Sequence, residues 1–443
     1  MEAKYAVIAV LLSCLHYQAG AVNLSIDASI EYQTIEGFGA HGAMDVWWGQ
    51  GPFYNQQFLD DIVDDLGMTM VRNEYYPPDD SWSAGPNVWE NKQRDYIIAL
   101  KNKAEQSGEP MRFTVTYWSP PAHFKDNNST RDGGHVMVDK YDEFAEYAVN
   151  TVKRYKDEAG VDLYALSFAN EPRFAQTYNS SVWTEEEYRD FLKVIGAKFE
   201  AQGLTTKLFG PEDVMFTFGR YAGIINQDPV ARRYLGAFAV HGYVDGVNPY
   251  DGLPHWTQLK SIHDATGWPI WQTETSGYAN DWPSAFLYVQ NIAVGLRHGQ
   301  VSAWVWWQLS SGGDGEFTLM PNSGGKGKKY YGSKHFYRYI RPGAVRIELD
   351  DSQDPDIIAS AYNHRQDKTL TVVIVNSSDQ TKQVTLTADV LPTTFEKYTT
   401  SSSKNCRDEG TVGGSSSITI DPRSVVTLYG DGYDTGTGVA PRR

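Results

Sequence analysis

The sequence predicts a (β/α)8 TIM barrel with an attached antiparallel β-sandwich. Two patterns predict it. Over residues 37–342, short apolar runs alternate with helix-like stretches, and eight such units can be counted. From Ala344 onward the character changes to short β-branched runs separated by Asp, Asn, Ser and Gly, such as "TLTVVIVNSS" and "SVVTLYG". A chain of 443 residues suits a large barrel plus an accessory domain.

The elements follow in order. The N-terminus, "MEAKYAVIAVLLSCLHYQAGAVNLS", has Lys4, an apolar stretch from Tyr5 to Leu15, and Ala19 and Ala21 at an A-x-A-like cleavage point. Residues 1–21 therefore read as a signal peptide, and a secreted, extracellular protein is expected. The apolar run is too short to span a bilayer, so no membrane insertion is expected. Residues 22–36 read as N-terminal strands that join the sandwich, because "VNLSIDASIEYQT" has the same β-branched character as the C-terminal segment. The barrel takes residues 37–342. Its strands are expected at Ile35–Gly39, Met68–Tyr75, Arg112–Trp118, Leu163–Ala169, Lys207–Pro211, Ala237–His241, Ile270–Thr275 and Ala303–Gln308. Helical patterns lie between them at Phe58–Leu66, Asp95–Gln106, Tyr141–Tyr155, Glu185–Gln202, Val230–Tyr234, Leu259–Thr266 and Ala285–His298. A doubly wound sheet is the alternative, but no G-x-G-x-x-G follows the first strand. The sandwich takes residues 343–430, and the Gly/Thr-rich tail 431–443 reads as disordered.

Composition narrows the function. The net charge of −16 argues against a nucleic-acid partner and against an anionic membrane surface. Aromatics make up 13%, including 13 Trp and 28 Tyr, which suits a surface that stacks on flat ligands. Once Cys14 leaves with the signal peptide, Cys406 stands alone, so no intramolecular disulfide and no zinc–thiolate site is expected. The 10 His form no H-E-x-x-H or H-x-H, so neither a metal nor another cofactor is expected. N-x-S/T sequons stand at Asn23, Asn127, Asn128, Asn179 and Asn376, marking a possible glycoprotein.

Barrel active sites sit at the C-terminal strand ends. The fourth expected barrel strand runs out into Asn170-Glu171-Pro172 and the seventh, "WPIWQTETSGY", into Glu274. Either glutamate alone reads as an ion-pair partner or a loop cap. Two of them on non-adjacent strand tips are the equipment for cleaving a glycosidic bond: one protonates the leaving oxygen, the other attacks the anomeric carbon or activates water.

At this point "SFANEP" and "WQTETSG" resemble the clan A glycoside hydrolases. "YQTIEGFGAHGA", "YWSPPAHFK", "AWVWWQL" and "YYGSKHFYRYIRPGAVRIE" resemble glycoside hydrolase family 30 in the right order, from about Ile26 to Gly430. The resemblance implies retaining hydrolysis of β-glycosides, with Glu171 as acid/base and Glu274 as nucleophile. It implies Arg72 as a donor near Glu274, Asn170 on the sugar 2-hydroxyl, Tyr243 as a possible partner of the nucleophile, and His241 as a mainly structural residue at the site. Trp307 is the best platform for the sugar being cleaved, with Trp118 and Trp47 or Trp48 as further candidates. Trp304 and Trp306 are expected to pack outward against helices.

"YWSPPAHFK" is closest to the glucuronoxylanase branch, so an endo-β-1,4-xylanase acting on a polysaccharide as a monomer is expected. A β-1,6-glucanase or β-1,6-galactanase is close behind, then a glucosylceramidase-like β-glycosidase; a non-catalytic carbohydrate-binding barrel would lack one glutamate. Two departures stand out. Arg173 follows Pro172 where glucuronoxylan-cleaving members carry an acid, and the loop after the last barrel strand has no arginine to grip a glucuronate. Lys326, Lys328 and Lys329 in that loop read as solvated.

Overall fold

The computed structural model describes residues 21–42, 54–80, 87–214, 218–243, 253–311, 313–321 and 323–435. Eight parallel strands close into a barrel in chain order: β2 (Gly37–His41), β3 (Met70–Glu74), β4 (Arg112–Thr116), β5 (Ala165–Ser167), β6 (Lys207–Val214), β7 (Leu235–His241), β8 (Ile270–Glu274) and β9 (Val301–Trp306). All eight expected strands are present, with ends moved by a few residues. The barrel seam is β2 against β9, where Gly37 pairs with Ala303 and Ala40 with Trp306. Glycine is required at position 39, because a Cβ there would sit 1.6 Å from the Met70 carbonyl oxygen.

Inside, Met70, Ala165, Phe209, Ala237, Ala239, Trp271, Ala303 and Val305 fill the barrel. The alanines make room for Trp271, whose ring lies 5.2 Å from Phe209 and whose Nε1 donates to Glu36 at the barrel floor. A filled floor leaves only the C-terminal mouth open for chemistry.

The helices form the outer ring and bury one apolar face each. Glu185–Ala201 begins at Thr184 with a capping box closed by Glu187, and Tyr141–Ala159 ends at Gly160 with φ of 67°. One helical pattern differs from expectation. Phe58–Leu66 is a short α-helix, Gln56–Asp60, that runs on as a π-turn over Asp61–Asp65. Two helices had not been expected at all, Phe218–Gln227 and Lys328–Tyr337. The second has a weak pattern because both its faces are covered, one by the barrel and one by the sandwich. Trp304 and Trp306 do pack outward: Trp304 meets Trp256, and Trp306 meets Tyr278 and Tyr288.

The second unit is a nine-stranded sheet ordered β15-β14-β17-β12-β11-β10-β1-β13-β16. Its members are β1 (Val22–Thr34), β10 (Val345–Asp350), β11 (Ile357–His364), β12 (Thr369–Asn376), β13 (Lys382–Thr387), β14 (Thr394–Thr400), β15 (Arg407–Gly413), β16 (Ile418–Ile420) and β17 (Ser424–Asp431). Pairing is antiparallel apart from β1 with β13, which run parallel. The N-terminal strand thus sits inside the sheet, between β10 and β13. The period of two sorts the side chains. Ile357, Ala359, Ala361, Leu370, Val372 and Ile374 enter the sandwich core, whereas Ile358, Tyr362, Val373 and Val375 join the barrel's outer core. His335 locks the two units together: burial pushes it down to about 3, so it is neutral, and its two nitrogens bond the Thr427 and Thr400 hydroxyls, each at 2.8 Å. The expected disordered tail is corrected at its start. Asp431 belongs to β17 and Tyr433 is buried in the sandwich core; residues 436–443 lie outside the described residues.

Because the sheet supplies part of the barrel's outer core, truncation after Pro342 should give insoluble protein rather than an active barrel. Soluble yield and gel filtration read the outcome; a monomeric, active truncation would show two independent domains.

Candidate active site

The period of two along β3 points Met70 into the barrel and sets Arg72 one layer above it, at the mouth. Arg72 is fully buried and its guanidinium spends its donors in four directions. Nε donates to Glu212 Oε1 at 2.9 Å and to Thr116 Oγ1 at 3.2 Å, Nη1 to Glu274 Oε2 at 2.7 Å, and Nη2 to Asn170 Oδ1 at 2.6 Å. Its plane also stacks over Trp118, 4.5 Å from the ring centroid.

The carboxylates reach this point through irregularities in the strands. On β8, Val240 pairs with Gln272 but His241 pairs with Glu274, so Thr273 is an extra residue. That bulge re-aims Glu274 to the inner side, above Trp271. On β6, Pro211 pairs with Ala239 and Asp213 with Val240, leaving Glu212 as the extra residue with φ of 59°. Glu171, just past β5, also sits in the left-handed region at φ of 47°, and its N–H donates to the Glu212 carbonyl at 3.1 Å. A non-glycine residue held there costs on the order of 1–2 kcal/mol, so two adjacent cases show how strongly the surroundings fix these side chains.

His241, at the tip of β7, stands between the acids. Its Nδ1 lies 3.0 Å from Glu171 Oε1 and 3.8 Å from Glu274 Oε1, and its Nε2 lies 3.9 Å from Glu212 Oε1. Burial pulls the imidazole down, but Glu274, Glu171 and Glu212 outweigh it and hold it up at about 9. Glu212 is the opposite case: burial pushes its carboxyl up, while Arg72, His241 and Thr116 bring it down to about 2. Burial pushes Glu274 up, against the pull of His241 and Arg72. Its second oxygen accepts from Tyr243 at 2.9 Å. Glu171 Oε1, Glu274 and His241 bring their ligand atoms within 4.8 Å of one another, the one group among the described residues close enough to share a metal ion; here the imidazolium supplies the charge that lets two carboxylates approach.

Above these groups opens a cavity of about 550 Å³, lined among others by Trp118, Asn170, Glu171, Tyr243, Glu274 and Trp307. Of the residues singled out in the sequence, Glu171, Glu274, Asn170, Arg72, Tyr243, Trp118, Trp307 and His241 all converge here, and Trp47 and Trp48 lie outside the described residues. Their surroundings differ from expectation in places. His241, expected as a mainly structural residue at the site, bonds an acid directly, Glu171 at 3.0 Å. Trp118 is a buried wall with one face taken by Arg72; Trp307, 5.7 Å from it, is only partly buried and keeps the platform position. Glu212 had been overlooked, although an acidic pair, Glu212-Asp213, at a barrel strand tip was a visible signal. Glu74, Asn179 and the half-exposed Phe317 also line the cavity. The lysines expected to be solvated are engaged: Lys326 pairs with Asp61 and Asp65, Lys328 bonds the Ser401 carbonyl, and Lys329 is fully buried on the Gly315 carbonyl. Two sequons are closed as well, since Asn179 and Asn376 are buried.

Two family models match the chain: the glycosyl hydrolase family 30 TIM-barrel domain over residues 87–276, and the glycosyl hydrolase family 30 beta sandwich domain over residues 343–428. Glucuronoxylanase XynC of Bacillus subtilis is 25% identical over 376 residues, 81% of this chain and 79% of that protein. Among solved structures, a family 30 subfamily 8 xylanase from Clostridium acetobutylicum superposes with a TM-score of 0.77 at 23% identity, covering 93% of this chain and all of the other. The endo-β-1,6-glucanase BT3312 gives 0.73 at 20%, covering 93% and 94%.

The pH dependence of folding should report the cluster. His241 titrates near 9 folded and 6.5 free, so its contribution is complete below pH 6.5 and is lost as the pH rises through 9. His241→Asn should therefore cost on the order of 3 kcal/mol at pH 6 and far less at pH 10, read by urea unfolding at both. Equal losses at the two pH values would show that His241 is neutral in the folded protein.

Proposed function

Because this chain belongs to glycoside hydrolase family 30, we propose that it is a secreted, monomeric endo-β-1,4-xylanase that hydrolyses xylan with retention of anomeric configuration. One observation carries the reading. Glu171 and Glu274 hold carboxylate oxygens within 4.8 Å of each other at the barrel mouth. Retaining glycosidases place their two carboxyl groups roughly 5–5.5 Å apart, whereas inverting enzymes need about 6.5–9.5 Å to admit a water.

Roles follow from the surroundings. Glu274 accepts from Arg72, which has no lone pair with which to receive a carboxylic proton, and from Tyr243. That fixes it as the ionised nucleophile. Glu171 takes the acid role: among the described residues its Oε2 has one long contact, 3.4 Å from Gln176, and it faces the cavity where the leaving oxygen arrives. The glycosidic bond breaks as Glu274 bonds the anomeric carbon and Glu171 gives its proton to the departing oxygen. Esterification removes the charge of Glu274, leaving Arg72 and His241 to face Glu171 and Glu212 alone. Having given its proton to the leaving oxygen, Glu171 is the base that takes one from water in the second step. Asn170, with Oδ1 committed to Arg72, offers Nδ2 to the sugar 2-hydroxyl, and Trp307 offers its face to the ring.

Xylan is favoured by the similarity to glucuronoxylanase XynC and by "YWSPPAHFK". Strict dependence on glucuronate side groups is not, since Lys326, Lys328 and Lys329 are already engaged. A β-1,6-glucanase or β-1,6-galactanase is the second reading. It is supported by a cavity lining without a lysine or arginine among the described residues, which suits any neutral glycan. Secretion rests on the leader of residues 1–21.

Sizing the products from xylan, β-1,6-glucan and β-1,6-galactan separates the readings, and proton NMR of the first product should show the β anomer. Glu171→Ala should lose ~10²–10⁴-fold on polysaccharide yet keep its first step on an activated aryl glycoside, with azide rescuing turnover as a β-glycosyl azide. Glu274→Ala should give the α-azide. Azides of one configuration from both variants would reverse the assignment.

A further inference from the structure

A second polar group in the cavity has no part in the reaction. Glu74 ends β3 two residues beyond Arg72, so it projects on the same inner side. It is 5% exposed and lines the cavity. Beside it stands Asn179, from the loop after β5, which is only 2% exposed. Neither polar atom of Asn179, Nδ2 or Oδ1, makes a well-formed hydrogen bond among the described residues; the amide reaches only toward the Glu74 carboxyl, which it helps to hold down. A buried amide in that condition is costly, and in a cavity the missing partners can come from a ligand. The carboxamide oxygen of Gln308, on the same lining, is likewise buried without a partner. Tyr178 ties this group to the reacting carboxylates, since its hydroxyl is raised by burial and by the charges of Glu171, Glu274 and Glu74 together.

We propose that Glu74 and Asn179 form a clamp for adjacent hydroxyl groups of a neutral sugar, and that this clamp helps set which glycan the enzyme accepts. The proposal rests on the family 30 reading of the cavity but not on xylan as substrate. A carboxyl and a carboxamide side by side present both donors and acceptors, which is what two neighbouring hydroxyls require. Burial pushes Glu74 up to about 8, with Asp80 adding to the shift while hydrogen bonds from Tyr76 and Asn179 and the charge of Arg72 oppose it, so below that pH the clamp is uncharged and can donate. Glu171 and Glu274 line the same cavity, so a uronate would enter against carboxylates with no lysine or arginine among the described lining residues to receive it.

Affinity can be read without turnover in a Glu274→Gln background, by fluorescence of the cavity tryptophans titrated with xylo-oligosaccharides, β-1,6-linked gluco-oligosaccharides and glucuronic acid. Glu74→Ala and Asn179→Ala should each weaken the best neutral ligand roughly three- to tenfold. Glu74→Gln should match the parent at pH 6, because an amide donates and accepts as the protonated acid does. It should also change less than the parent up to pH 9.5, because His241 titrates in both and Glu74 in the parent alone. Asn179→Ser carries the test if Glu74→Ala fails to fold by circular dichroism. Unchanged affinity in the Asn179 variants, a parent that prefers glucuronic acid, or a parent that binds no neutral oligosaccharide would overturn the clamp. Cleavage of β-1,6-glucan in place of xylan would overturn the preceding substrate assignment and leave the clamp standing.

Discussion

Arg72 is the constraint on which the site depends. A guanidinium buried at the centre of a barrel must be paired, and the loss of one partner from such an arrangement typically costs about 3–5 kcal/mol. Here its donors reach the tips of β4, β6 and β8 and the segment that follows β5, so one side chain fixes the relative positions of Thr116, Asn170, Glu212 and Glu274. Glu212 balances it. Three carboxylates, Glu171, Glu212 and Glu274, face two cations, Arg72 and His241. Arg72 and His241 hold Glu212 ionised, so part of the positive charge at the mouth is already committed before Glu171 and Glu274 draw on it.

The barrel delivers these charges at the cost of regularity. A straight strand would point every second residue inward, and on β8 that would be Trp271 and Thr273. The extra residue at Thr273 brings Glu274 to the inner side, and the left-handed turn at Glu212 does the same on β6. Irregular backbone at the mouth rests on a regular floor, where alanines and Trp271 interlock and Glu36 closes the base. The sandwich adds rigidity from outside, since its outward-facing residues complete the packing around the helices Trp282–His298 and Lys328–Tyr337.

Much of this was legible in the sequence. Eight apolar runs alternating with helical patterns specify a barrel because parallel strands must be covered on both sides. Glu171 and Glu274 were visible because carboxylates rarely end buried strands without a partner or a task. Glu212 was missed because the strand reading stopped at Pro211, one residue short of an acid that obeyed the same rule. The helix Lys328–Tyr337 was missed because a segment buried on both sides shows little amphipathic period.

What the sequence determined by itself was the architecture, the order of its elements, and the residue types available at each strand tip, because periodicity and turn chemistry are local properties. What only the tertiary structure decided was which of those residues meet. That Arg72 holds two acids, that His241 carries its proton between three of them, that Trp118 is a wall and Trp307 a platform, and that Asn179 is buried beside Glu74 all depend on barrel closure and on single-residue bulges. Closure brings together residues far apart in the chain, such as Arg72 and Glu274, 202 positions apart. One extra residue in a strand reverses the side on which every later side chain emerges, and no local pattern in the chain announces it.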